Sequence, residues 1–256
     1  MVKDIDIAPP IEDSQVIWRY MDFASFCYLL HTKGLFFRRL DRYSDQHEGS
    51  LPEEIKHALV EDWMSALPWL YPSREDGIQS FDNTFIAHLK EFNKGTLCCS
   101  WVASPVESYA MWKIYLRGSK EGVAIRTTIG RLRQVLTDNA TDFTLARVNY
   151  DMPFWDESDY KTLASYKTKP YSYESELRAL VYDQFEPETV PIDVFPKVPL
   201  FEYGAAFAVD TALLIEHVHV SPFADSWFHE LVRLTIKSHL PTFDHGAILT
   251  SRIKDM

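Results

Sequence analysis

Apolar and polar positions alternate along this chain in short blocks, and the blocks change period. Residues 15–20 carry Val16, Ile17, Trp18 and Tyr20 and predict a strand. Asp22 follows as an N-cap, and Phe23, Phe26, Leu29 and Leu30 then recur at helical spacing until Lys33 and Gly34 close the helix. A second strand is expected over residues 35–40 and a polar loop over 41–50. Pro52 opens a helix reaching about residue 67, a break spans 68–77, and another helix covers about 79–92. Residues 96–101 read as a strand, and Ser104 with Glu107 makes a capping-box pattern for a helix through about Tyr115. Strands over 122–128 and 144–150 flank a short helix over 131–136. Residues 173–182 read as a strand, and the four prolines between 186 and 199 mark a loop. Short strands over 206–209, 216–220 and 247–250 surround a final helix over 226–239. No repeat or linker divides the chain. The expectation is a loose arm over residues 1–14 and a single α+β domain over 15–256, since a regular βαβ alternation is missing.

Composition narrows the class. A chain of 256 residues with 46% hydrophobic and 14% aromatic content can bury one large core. The formal net charge of −11, with no basic run of five, gives duplex nucleic acid little electrostatic purchase. Three cysteines, two of them adjacent at Cys98 and Cys99 in an apolar run, read as buried free thiols of a reducing compartment. The N-terminus lacks an apolar segment and no apolar run approaches a membrane span, so a cytoplasmic protein without membrane attachment is expected.

The candidate chemistry centres on Tyr173-Glu174-Ser175-Glu176-Leu177-Arg178. In an extended chain Glu174, Glu176 and Arg178 share one face, with neighbours about 6–7 Å apart. The plain alternative is a solvated strand edge with a local Glu–Arg pair. Arg19, inside an apolar strand, must face solvent or meet a partner, and a cleft arginine suits a phosphate or carboxylate. Glu107, Met111, Trp112 and Tyr115 recur at helical spacing and read either as a core stripe or as a wall that stacks on a flat ligand. Asp41, Asp45, His47 and Glu48 share a loop of metal-ligand types, but turn and cap chemistry explains them more simply, so no metal is expected. Phosphate-binding glycine loops and the nucleophile elbow are absent.

Several segments taken together carry a resemblance. They are Trp18-Arg19-Tyr20-Met21-Asp22-Phe23, Gly34 to Asp41, Asp45-Gln46-His47-Glu48-Gly49-Ser50, Ser100-Trp101 with Glu107 to Lys113, Tyr173 to Arg178, and Val220-Ser221-Pro222 with Trp227-Phe228. In this order they resemble the bacterial domain-of-unknown-function family 2971 over about residues 16–251. That family usually has Asp-Pro-Phe-Glu where this chain has Asp45-Gln46-His47-Glu48. More distantly, the order Arg19, Ser100, Gly122-Val123-Ala124-Ile125, Glu174-Ser175-Glu176 is similar to ADP-ribosyltransferase-like folds. That resemblance implies a split or strongly bent mixed sheet with flanking helices, and NAD as the substrate. It implies Glu176 and Glu174 as catalytic residues, with Arg19, Tyr20, Ser100, Trp101, Trp112 and Tyr115 around the dinucleotide. Arg178, Asp45, Glu48 and Glu107 would support them. The implied activity is ADP-ribosyl transfer to a protein or nucleic acid, or NAD hydrolysis, in a bacterial toxin or phage-defence setting. Two other classes stay open: a nucleotide- or protein-binding module without turnover, and a metal-dependent nuclease or hydrolase built on the Asp45 loop with Glu107.

Overall fold

A computed structural model describes residues 1–4, 10–43, 49–66, 69, 73–151, 160–182 and 201–255. In chain order the strands and helices are β1 (Val2–Asp4), β2 (Val16–Asp22), α1 (Phe23–Thr32), β3 (Gly34–Arg39), α2 (Glu53–Ala66), α3 (Arg74–Phe81), α4 (Ala87–Gly95), β4 (Thr96–Ala103), α5 (Tyr109–Leu116), β5 (Gly122–Thr128), α6 (Ile129–Thr137), β6 (Phe143–Arg147), α7 (Tyr160–Leu163), β7 (Glu176–Tyr182), β8 (Gly204–Ala208), α8 (Thr211–Leu214), β9 (His217–Val220), α9 (Ser226–His239) and β10 (Ile248–Thr250).

The described strands form one mixed sheet in the order β1-β6-β7-β4-β2-β5-β9-β10, and β3 branches from β4 to carry β8. The outermost pairs β1–β6 and β9–β10 are parallel, whereas every other pair is antiparallel. The expected single-domain α+β architecture, a mixed sheet with flanking helices, is what the chain adopts, and the sheet is one open sheet that forks at β4.

Strand alternation decides which side chains share a face. On one face Ile17, Met21, Leu97, Cys99, Trp101, Ile125, Leu177 and Ala179 join the main core with Phe26 and Leu30 of α1, Leu132 of α6 and Val232 of α9. The opposite face is covered in patches. Trp18, Tyr20 and Val102 pack under Met111 and Trp112 of α5, and Cys98 and Leu180 pack with Leu40 and Phe92.

The structure departs from the hydrophobic pattern at several ends. Residues 2–4, expected within a loose arm, pair with β6 and place Val2 against the core. Helix α1 starts on Asp22 as expected, whose carboxylate accepts from Ser25 N at 2.7 Å, but Lys33 takes the left-handed cap at φ 49° and Gly34 opens β3. Helix α3 starts on the Ser73 cap, so Gly77 lies inside it. Helix α5 starts later than the capping-box pattern implied, because Ser108, rather than Ser104, accepts from Met111 N. Strand β7 begins at Glu176 rather than before it, since residues 169–174 form a 3-10 helix that ends on Ser175 at φ 43°.

Candidate functional site

A notch in the sheet organises the polar residues. Strand β4 has two partners on one side. Arg39 and Arg38 of β3 pair with Leu97 and Cys98, and Trp18 and Ile17 of β2 pair with Val102 and Ala103. Among the described residues, Cys99, Ser100 and Trp101 therefore have no ladder partner on that side. The Arg19 guanidinium fills the gap. Its Nη1 donates to Ser100 O at 2.9 Å and to Cys99 Sγ at 2.8 Å, and its Nη2 donates to Phe36 O at 3.3 Å. An arginine thus supplies the donors that a missing strand would have supplied, which is why a charged residue is tolerated in this apolar strand.

On the face opposite the main core, the other side of β4 carries the ionic row. Register places Arg178 of β7 beside Ser100 and Glu176 beside Val102. Arg178 is fully buried and holds Glu176 through two bonds, Nε to Oε1 at 2.9 Å and Nη2 to Oε2 at 3.2 Å. Its Nη1 donates to Ala164 O at 2.7 Å. Lys167 reaches both carboxylates, at 2.7 Å from Glu174 and 3.5 Å from Glu176. Burial alone would raise the Glu176 pKa, but Arg178, Lys167 and a hydrogen bond from Ser100 outweigh it and hold the carboxyl below the usual range. Glu176 is therefore a buried, ionised carboxylate. Glu174 does not continue the strand face, because Ser175 in the left-handed region breaks the alternation, and Lys167 is what brings the two acids together.

Tyrosines ring this centre. Tyr150 Oη accepts from Glu176 N at 2.9 Å, and Tyr43 Oη lies 3.1 Å from Cys98 O and 3.2 Å from Ser100 Oγ. Tyr115 of α5 is 40% exposed, yet its hydroxyl feels Glu176, Arg19, Glu174 and Lys167 together. Burial first, then Glu176, raise its pKa far above that of a free phenol, so it remains a neutral donor. Desolvation likewise pushes the Cys98 thiol up to about 12, which leaves it inert.

The expected site residues divide by position. Ser100, Glu176, Arg178 and Glu174 belong to the ionic row on the β7 side of β4, Arg19 fills the notch from the main-core face, and the Tyr115 hydroxyl feels both. Tyr20 is buried beneath it, stacked 6.2 Å from Tyr115, and its hydroxyl accepts from Ser108 N. Trp101 and Trp112 are buried, at 1% and 0% exposure, so neither ring offers a free face for a ligand. Trp101 lies in the main core with Arg19 5.7 Å from its ring, and Trp112 packs edge-on to Tyr20. Glu107 faces elsewhere: it accepts from Trp112 Nε1, from Ser251 Oγ at 2.7 Å and from Arg252 N at 2.6 Å. Asp45, His47 and Glu48 lie outside the described residues, among which no group of three or more His, Cys, Asp or Glu is placed to hold a metal. Lys167, Tyr43 and Tyr150 were not singled out from sequence. Their partners are brought to them by the sheet, and nothing local to each residue marks it.

No described helix is long and apolar enough to cross a membrane. No family model, curated protein or solved structure matches the chain.

Proposed function

We propose that the notch is the active centre of an enzyme that cleaves the nicotinamide–ribose bond of NAD, passing ADP-ribose to an acceptor or to water. The observation that supports this reading is the Tyr115 hydroxyl, which feels Arg19 in the notch and Glu176 across β4 together, with Ser100 hydrogen-bonded to Glu176. Bond cleavage passes through an oxocarbenium-like state, and a preorganised carboxylate beside the ribose stabilises the developing positive charge. Glu176, ionised and held by Arg178, suits that electrostatic role better than proton abstraction. Glu174, reached through Lys167, orients or deprotonates the acceptor hydroxyl or water. The acceptor oxygen bonds to the anomeric carbon, nicotinamide leaves with the bonding pair, and the acceptor's proton passes to the base. Tyr115, partly exposed, stands beside the leaving group.

Incubation of the purified chain with NAD should release nicotinamide, followed chromatographically. The Glu176→Gln variant, checked for native circular dichroism, should release it at least about 100-fold more slowly. Wild-type protein that releases none, and labels nothing in lysate, rules the reading out.

One observation favours a second reading, a nucleotide-binding module without turnover. Both Glu176 oxygens are already occupied by Arg178, so the row can act as an internal lock. That reading expects thermal stabilisation by nucleotide, unchanged on Glu176→Gln, with no nicotinamide released.

A further inference from the structure

Among the described residues, one face of the wing made by β3 and β8 carries exposed side chains beside the notch. Gly34, Phe36 and Arg38 of β3 stand opposite Ala208, Ala206 and Gly204 of β8, and alternation puts all six on one face. It is the face of Cys98, Ser100, Arg178 and Glu176, because Arg38 pairs with Cys98. Phe36 is 37% exposed, and Arg38, Ala206 and Ala208 are exposed. Across the ladder from Phe36 and Arg38, β8 offers only Ala206 and Gly204. At Gly204 a side chain is excluded, since a Cβ there would come within 2.1 Å of Phe37 O and 2.9 Å of the Phe36 ring. The result is a flat shelf with one aromatic ring and one cation.

Their partners separate Arg19 from Arg38. Arg19 is committed to Ser100 O, Cys99 Sγ and Phe36 O, so it frames the notch. Arg38 lies 5.9 Å from the Tyr43 ring and, among the described residues, pairs with no carboxylate. In a chain of net charge −11, an exposed arginine without an acidic partner beside an exposed phenyl ring fits an anion joined to a flat base. Continuing the β3–β4 register brings Phe36 level with Ser100, so a ligand on the shelf abuts the notch.

The geometry points to the β3–β8 shelf as the subsite for the nucleoside diphosphate half of the ligand, with Phe36 against the base and Arg38 on the phosphates. This deepens the NAD reading and rests on it for the choice of nucleotide. It moves the phosphate contact from Arg19, where sequence had placed it, to Arg38.

Calorimetric titration of the full chain with ADP and with adenosine tests it. Wild type should bind both. Arg38→Gln should weaken ADP at least tenfold and leave adenosine within twofold, Arg38→Lys should recover part of the loss, and Phe36→Ala should weaken both ligands. Wild type that fails to bind ADP, or Arg38→Gln that binds it as wild type does, overturns the assignment. Nicotinamide release separates this from the parent reading. Protein that binds ADP as stated but cleaves no NAD keeps the shelf and sinks the catalytic proposal. Protein that cleaves NAD with an unchanged KM in Arg38→Gln keeps catalysis and sinks the shelf.

Discussion

His219 shows how a single residue can set the pH response of this protein. It is 6% exposed, its ring lies 4.8 Å from Trp18, and among the described residues neither ring nitrogen has a hydrogen-bond partner. Burial lowers its pKa from 6.5 to about 4; Glu107, 4.0 Å from Nδ1, opposes the shift, while His217, Arg126 and Arg252 add to it. The folded form thus keeps the imidazole neutral where the unfolded chain binds a proton. Stability from this group is complete above pH 6.5 and is lost as the pH falls toward 4. The loss is about 3 kcal/mol in all, about 2 kcal/mol of it by about pH 5. Urea unfolding should show a wild-type midpoint that drops on acidification and a His219→Leu midpoint that drops less. Equal drops would mean that another group carries the acid response. In sequence the acid next to His217 and His219 is Glu216. Glu216 instead pairs with Arg126, and the acid beside His219 is Glu107, far away in the chain.

Elements were legible where their signals were local. Asp22 caps α1 as its position implied, and α9 spans the residues that its period marked. The misread ends have local physical reasons. Glu107 does not serve a capping box because Ser251 and Arg252 N claim its carboxylate. The row Glu174, Glu176, Arg178 does not alternate as one strand because Ser175 turns left-handed between the two acids. The cap of α1 makes a testable case. Lys33 is exposed and holds φ 49°, a conformation that strains L residues and that glycine adopts freely. Its carbonyl still accepts from Val209 N at 2.8 Å, a bond that glycine would keep. Lys33→Gly should therefore raise stability by about 0.5–1 kcal/mol, the left-handed strain relieved exceeding the extra freedom of the unfolded chain. A lower thermal midpoint would mean that the Lys33 side chain contributes more than its backbone costs.

At the scale of the molecule, the fork at β4 could not be read from periodicity. Each strand alone predicts only an apolar face, whereas the notch depends on which strands meet β4 and where they stop. The same holds for Lys167, whose two carboxylate partners come from either side of the turn at Ser175. The edge strand β1 is the largest of these non-local surprises. Val2–Asp4 pairs with Phe143–Leu145, Val2 packs on the core, and Asp4 meets Arg133 at 2.7 Å. A loose arm could be removed without effect. A paired edge cannot: deleting residues 1–4 uncovers the backbone groups of β6 beside the buried Phe143 and Leu145, which is a template for another chain. The shortened protein should lose about 1–3 kcal/mol in urea unfolding. It should also sediment with a concentration-dependent larger species that wild type lacks. An unchanged midpoint with monomeric sedimentation would return residues 1–4 to the status of an arm and make β6 the true edge of the sheet.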